Sequence, residues 1–464
     1  MPMFLLWSKL SWKPAFFWGW LAGTVFFLLL FYWMPDTVFD FVGSWSIVAL
    51  ALLCGLEGLA VAAVAVIASL VGRGRFTTAS IFALPAAWLL FEGVRSHGSL
   101  AAPFGQLGFV AAHLPWLLPL AAYGGVYLVT TIVTVGNAAI AGALAGGRST
   151  RITAGVVLAV LVAIVATADA ARSHVRFEAP SLRVAVAQGN IPQRVKWTPA
   201  IFAQTMATYS QLTRRAAARG ARVIVWPETA ITSFPLQDPA LLRTLEKLSA
   251  TTHVWIMGGT IDRPSVAGYY NAVVDLTPAG SVGGVYHKRW LMPFAEFLPF
   301  EHLLRRVPIL DSASAFLAGP GPHLLSAAGY QWGTLICYES AYGLYARATA
   351  NAGADAIIMA ADDAWFSGTS EQYQHADITV IEAVSTGRWI VRSADTGISE
   401  IVDPNGSIVA QLGLDQQGIV VADIGRGIET PYDRYGVGWL FALSFIALAG
   451  GLLGGRLRYG SQRS

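Results

Sequence analysis

The sequence predicts a membrane-embedded α-helical bundle of about six spans joined to an α/β domain. Three observations predict it. The 464 residues are 55% hydrophobic and only 13% charged, too apolar for an ordinary soluble chain. The apolar residues gather before about residue 171 and again after residue 436. Between these blocks, short β-rich runs alternate with helix-period segments, the pattern of a layered α/β domain. The chain thus divides into an N-terminal bundle (1–171, about five spans), a middle domain (172–430), and a last span with a basic tail (431–464).

The formal charge of +3 lends no electrostatic support to a nucleic-acid partner. Cys54 and Cys337, the two cysteines, lie far apart and make no disulfide framework. A cleavable signal peptide is not expected, because the apolar runs are too long and lack a small-residue cleavage site.

A span needs about 20 apolar residues. Runs that meet or approach this lie at 15–32, 46–71, 77–93, 117–144, 152–170 and 437–453. The second and fourth are long enough to tilt or kink, and Gly55, Gly58, Gly124 and Gly125 permit either. Short cytoplasmic loops collect Lys and Arg. Lys9 and Lys13 precede the first run, Arg73 and Arg75 follow the second, Arg148 and Arg151 the fourth, and Arg456, Arg458 and Arg463 the sixth. The loops between carry acids, such as Asp36 and Asp40, or little charge. Six spans put every basic cluster on one side and the middle domain on the other, outside the cytoplasm. Arg95, Arg172 and Arg176 are exceptions near outer span ends.

Charge inside a membrane is costly and usually has a purpose. Glu57 lies within the second run, and Glu92 and Arg95 end the third. Spacing of three lets Glu92 and Arg95 pair on one helix face. No partner for Glu57 is evident.

In the middle domain, strands are expected at 182–188, 223–226, 254–258, 271–276, 282–286, 333–336, 356–359, 390–393, 399–402, 408–411 and 419–422. Helices are expected at 199–219, 239–250, 342–351 and 372–386. Turns at Thr277-Pro278-Ala279-Gly280 and Asp403-Pro404-Asn405-Gly406 add antiparallel hairpins. These residues imply a mixed sheet covered by helices.

Three strand ends carry the chemistry. The apolar run Thr334–Ile336 stops at Cys337-Tyr338-Glu339-Ser340, which pushes a sulfur out at a sheet edge. Read alone, Cys337 is better explained as a small buried hydrophobe. The run Val223-Ile224-Val225-Trp226-Pro227 delivers Glu228, which alone could cap the next segment. Lys288 ends a strand before an aromatic, proline-rich loop, Pro293-Phe294-Ala295-Glu296-Phe297-Leu298-Pro299-Phe300, and alone is a solvated cation. Together they form a coherent set. A thiol needs a base, a thiolate gains from a nearby cation, and a tetrahedral oxyanion needs positive charge. Strand ends on one sheet edge lie close together, where ligands bind.

The middle domain resembles the nitrilase superfamily, whose Glu-Lys-Cys triad occupies these motif contexts, and nearly the whole chain resembles the apolipoprotein N-acyltransferase family. The matching segments are Val186-Ala187-Gln188-Gly189-Asn190-Ile191-Pro192-Gln193 with Lys196-Trp197, Trp226-Pro227-Glu228, Lys288-Arg289 through Pro299, and Cys337-Tyr338-Glu339. Asp363-Ala364-Trp365-Phe366, Gln374-His375, Thr396-Gly397-Ile398-Ser399 and Thr430-Pro431-Tyr432 match as well.

The resemblance implies an αββα sandwich on a multi-pass bundle of the bacterial inner membrane, facing the periplasm. It implies a monomeric acyltransferase with three partners: the bilayer, phosphatidylethanolamine as acyl donor, and a diacylglyceryl-modified apolipoprotein as acceptor. Cys337 would carry the acyl chain as a thioester, with Glu228 as general base and Lys288 at the oxyanion. Glu296, Tyr338, Glu339 and Trp197 match supporting positions. No cofactor or metal is implied, since a thioester conserves acyl-transfer energy. The alternative is a membrane-tethered nitrilase-type hydrolase or a divergent acyltransferase with another acceptor.

Glu339 would orient Lys288, His375 would be structural, and the aromatic loop at 293–300 would dip into lipid or act as a lid. The chain departs from the family pattern at Trp290, where histidine is common, at Ala295, where glycine is common, and at Asp362, where asparagine is common. About two further spans are common before residue 15.

Overall fold

The computed structural model describes residues 1–172, 175, 177–304, 306 and 316–460. Of the charges used above for orientation, Arg176 and Arg463 lie outside the described residues, as do the side chains of Asp40, Arg456 and Arg458. The chain forms two compact units, Met1–His174 with Tyr435–Ser464, and Val175–Arg434.

The first unit is helical. All six apolar runs become helices: Trp12–Leu30, Trp45–Gly72, Thr78–Arg95, Ala121–Ala145, Arg148–Arg172 and Gly438–Gly460. Among the described residues four stretches are long and apolar enough to cross a membrane: Trp12–Leu30, Trp45–Gly72, Leu118–Ala145 and Arg148–Arg172. Thr78–Arg95, of 18 residues, ends in charge, and Gly438–Gly454 is a shorter apolar segment. Length and apolarity together thus single out four of the six apolar runs among the described residues.

The glycines divide their roles. Gly124 and Gly125 kink Ala121–Ala145; Gly125, at φ 59° and ψ −160°, adopts a conformation that a side chain would strain. Gly58 does not kink its helix but lets a neighbour approach. A Cβ there would lie 2.6 Å from Thr24 Oγ1, and one on Gly23 would lie 2.9 Å from the Gly58 Cα. Small residues on both helices bring the two backbones close enough to pack without large side chains.

The expected Glu92–Arg95 pair does not form. Arg95 Nε instead meets Glu57 Oε2 at 2.5 Å, and its second amino group donates to the Phe104 carbonyl at 2.6 Å. The Glu92 carboxylate accepts from Trp88 Nε1 (3.1 Å), the Leu107 amide (2.9 Å) and Thr130 Oγ1 (2.8 Å). Helical spacing permits the local pair, but neutral donors already satisfy Glu92, and Glu57 on the neighbouring helix thereby gains its partner.

The second unit holds twelve strands among the described residues. In the first sheet lie β1 (Leu182–Gln188), β2 (Val223–Val225), β3 (Trp255–Ser265), β4 (Gly268–Thr277) and β5 (Ser281–His287). In the second lie β6 (Leu325–Ala327), β7 (Tyr330–Ile336), β8 (Ala356–Ala361), β9 (Trp389–Ala394), β10 (Ser399–Val402) and β11 (Ile408–Leu412). The last, β12 (Gly418–Ile424), returns to the first. The orders are β12-β1-β2-β3-β4-β5 and β11-β10-β9-β8-β7-β6. In each sheet three parallel strands, β1-β2-β3 or β7-β8-β9, sit between antiparallel edges.

Side-chain alternation sorts each strand's residues between two cores. Val184 and Val186 of β1 join Met257, Trp332, Ile358 and Val391 in a core shared by both sheets. Ala185 and Ala187 face the other way, onto Tyr209, Leu212, Leu245 and Leu248 of the helices Pro199–Ala218 and Pro239–Thr252. One mixed sheet was the residue-level expectation; two facing sheets form, because both faces of the central strands are apolar. Strand β6 was missed, being three residues long. Both expected hairpin turns are present, closed by Gly280 and Gly406 at φ 76° and 78°.

Two outcomes follow. Replacing Arg95 by Met strands a buried Glu57 and should cost about 3–5 kcal/mol, whereas E57L/R95M should recover most of it; melting in detergent measures both. Asp275 is buried, and neither carboxylate oxygen has a hydrogen-bond partner. Burial pushes its pKa from 3.8 to about 7. The folded form therefore keeps the proton that the unfolded chain gives up. Asp275's contribution is fully present below pH 3.8 and is lost as pH rises through about 7. Asp275→Asn should match wild type near pH 3.5 and be more stable above pH 7, by on the order of 2 kcal/mol.

Candidate active site

Each candidate side chain leaves the end of a strand. Glu228 follows β2 after Trp226-Pro227, with Thr229 beyond it at φ 48°. Lys288 follows β5, and Cys337 follows β7 at φ 49°, where a short 3-10 turn, Cys337–Ala341, begins. A non-glycine residue at positive φ carries backbone strain that its surroundings must hold. Here Ser340 Oγ donates to the Cys337 carbonyl at 2.8 Å, and the His375 ring lies 3.2 Å from the same oxygen.

Lys288 is not a solvated cation. It is buried with Nζ 2.9 Å from Glu296 and 3.5 Å from Glu228 Oε1. Burial would lower its pKa, but the charges of Glu296 and Glu228 more than reverse that, so it is raised and the ammonium stays charged. Nor does Glu228 cap a helix. Oε1 accepts from Asn271 Nδ2 at 2.6 Å, and Oε2 from the Asp362 amide at 2.9 Å. Glu296 accepts from Asn271 Nδ2 (3.1 Å) and the Met292 amide (2.8 Å).

Cys337 is partly exposed. Burial of the sulfur and then the Glu228 charge push its pKa well above the ordinary thiol range, while Lys288 pulls it down. The resting group is a thiol, and attack on an acyl carbon needs a proton acceptor.

The supporting residues separate. Glu339 is wholly buried and accepts from Tyr286 Oη (2.9 Å), and from the amides of Arg289 (2.6 Å), Trp290 (3.0 Å) and Ile336 (2.8 Å). It ties the segment after Lys288 to the residue before Cys337. Tyr338 is buried edge-on to Tyr342, with ring centroids 5.4 Å apart, and Trp290 stacks on Tyr342 at 4.9 Å. Trp197 is 44% exposed at the end of the short helix Gln193–Lys196; the adjacent Lys196 is the buried residue of that pair.

His375 hydrogen-bonds Asp363 Oδ1 at 2.8 Å, and Asp363 Oδ2 meets Arg392 at 2.5 Å. Burial and the Arg392 charge lower the histidine's pKa. Asp363, Glu371 and His375 bring ligand-type atoms within 4.8 Å of one another. Arg392 already supplies the positive charge there, which disfavours a metal ion.

Asn271 is the residue that sequence reasoning missed. Its carboxamide bridges Glu228 and Glu296, yet in the chain it is one polar residue at the start of an apolar strand. The signal that could have found it is its place beside Lys288 at the end of the β4–β5 ladder: Ala272 pairs with His287, and the Lys288 amide donates to the Asn271 carbonyl at 2.8 Å. Asn271→Leu should remove the shared donor and slow turnover about 100-fold with little change in unfolding temperature, read by single-turnover kinetics beside a melting curve.

The carbon-nitrogen hydrolase family model matches residues 183–432, and the apolipoprotein N-acyltransferase N-terminal domain model matches residues 1–139. An apolipoprotein N-acyltransferase of Geobacter metallireducens is 28% identical over 449 residues, covering 94% of this chain and 86% of its own length. One from Azotobacter vinelandii is 31% identical over 387 residues, covering 81% of this chain and 73% of its own. Among solved structures, an amidase from Nesterenkonia sp. aligns over 53% of this chain and 92% of its own, at 18% identity and a TM-score of 0.43.

Proposed function

Because this chain belongs to the apolipoprotein N-acyltransferase family, a membrane branch of the carbon-nitrogen hydrolases, we propose that it acylates lipoproteins through Cys337. The donor is phosphatidylethanolamine and the acceptor is the α-amine of an N-terminal diacylglyceryl-cysteine. The observation that carries this reading is the buried ammonium of Lys288 between Glu228 and Glu296, beside a partly exposed thiol held neutral at rest.

In the first half-reaction Glu228 takes the Cys337 proton as sulfur attacks the ester carbonyl. The oxyanion that forms faces Lys288, whose charge is worth most in a site shielded from water. Collapse breaks the C–O bond, and Glu228 returns the proton to the departing lysophospholipid alcohol. In the second, the lipoprotein amine attacks the thioester. Glu228 accepts the amine proton, the C–S bond breaks, the amide is released, and the proton returns to sulfur. Excluding water favours the amine over hydrolysis.

Both substrates are lipid-anchored, which suits a site beside a membrane surface. Phe294 and Phe300 support lipid contact: they are 47% and 52% exposed, at φ 64° and 51°, in the loop after Lys288. The loop basicity supports a catalytic unit on the periplasmic side of the inner membrane.

Intact-protein mass spectrometry tests the reading. Incubation with phosphatidylethanolamine should add one acyl mass to wild type and none to Cys337→Ala. Hydroxylamine should remove it, and a diacylglyceryl-cysteine lipopeptide should discharge it. An adduct lost to water but not to the lipopeptide would indicate a hydrolase. No adduct with any phospholipid would overturn the lipid donor.

A further inference from the structure

A second lysine lies behind Glu228. Lys196 is 1% exposed, in the helix Gln193–Lys196. Its Nζ ion-pairs with Asp362 Oδ2 at 2.7 Å and with Asp395 Oδ2 at 3.1 Å. It also donates to the backbone carbonyl of Glu228 at 3.2 Å. Asp362 follows β8 and Asp395 follows β9, both in the second sheet, whereas Glu228 follows β2 of the first. The same Asp362 gives its amide to Glu228 Oε2 at 2.9 Å. Lys196 thus holds the Glu228 main chain directly, and holds the Glu228 carboxylate through Asp362.

Asp395 is fastened from its other oxygen by Tyr209 Oη (3.0 Å) and the Ile191 amide (3.3 Å), and Thr229 Oγ1 donates to Asp362 Oδ2 at 3.3 Å. The cluster is tied into both sheets. Stability is a poor explanation for it. Desolvating an ammonium and two carboxylates costs about what their attraction returns, and apolar replacements of such groups are often neutral. A gain in geometry explains it better, since a displacement of about 1 Å at a reacting group costs about 100-fold in rate.

We propose that Lys196, with Asp362 and Asp395, is a positioning residue that locks the proton acceptor Glu228 of one sheet against Cys337 of the other. The inference rests on the assignment of Glu228 as the proton acceptor for Cys337. Four side chains act on the thiol: Glu228, Asp363 and Glu371 raise its pKa, and Lys288 lowers it.

The test compares wild type, K196M/D362N, Glu228→Gln, and the triple variant, all in a Cys54→Ala background so that one thiol reports. The paired substitution removes one charge of each sign and leaves Asp395 held by Tyr209 Oη and the Ile191 amide. Single-turnover acylation from phosphatidylethanolamine should slow about 10- to 100-fold in K196M/D362N, with the melting temperature kept within a few degrees. In the Glu228→Gln background the same substitutions should change the rate less than about threefold, because there is no longer a positioned base to lose. A donor-free arm follows the reaction of Cys337 with dithiodipyridine against pH. That profile should move to lower pH in K196M/D362N and in Glu228→Gln, and no further in the triple variant. Equal slowing in both backgrounds, an unmoved profile, or a profile moved to higher pH would overturn the proposal. If wild type accepts no acyl group, the lipid-donor reading fails while the thiol profile still decides this one.

Discussion

A buried ammonium between two carboxylates governs the arrangement of the catalytic unit. Lys288 cannot stay charged away from water unless acids face it, and Glu296 and Glu228 do so at 2.9 and 3.5 Å. The carboxylates need fixed donors in turn, which Asn271 and the Asp362 amide provide. Each donor is anchored in a strand or at its end, so the charge cluster sets how β2, β4, β5 and β8 must end relative to one another. The thiol of Cys337 then sits under two opposing fields, and burial keeps its proton on.

The same logic recurs around the site at lower chemical cost. Glu339 satisfies three main-chain amides and a tyrosine hydroxyl, stapling the turn after Lys288 to the strand before Cys337. Asp363 links Arg392 to His375, whose ring lies against the Cys337 carbonyl. Gly397 is required there, because a Cβ would fall 2.2 Å from Asp363 Oδ2. Strain at Cys337 is held by this packing rather than by any single bond. The acyl-transfer chemistry proposed for the site asks little movement of these groups and much constancy of position.

In the helical unit, charge is handled by pairing across helices instead of along one. Glu57 and Arg95 compensate one another, and Glu92 is satisfied by neutral donors. Glycines at 23 and 58 bring two helices together, whereas those at 124 and 125 bend one.

The chain by itself determined its element types, its long apolar helices and the three strand ends that carry Glu228, Lys288 and Cys337. Periodicity and turn chemistry are local, and a strand followed by a reactive side chain is legible as such. Family resemblance extended that to Glu296 and Glu339. Tertiary structure alone decided which of two sheets each strand joined, because both faces of the central strands are equally apolar. It alone paired Arg95 with Glu57, since spacing along one helix says nothing of the next. It alone put Asn271 between two glutamates and Lys196 behind Glu228. Those placements join segments 25 to 166 residues apart, and desolvation, not sequence proximity, selects which charges meet.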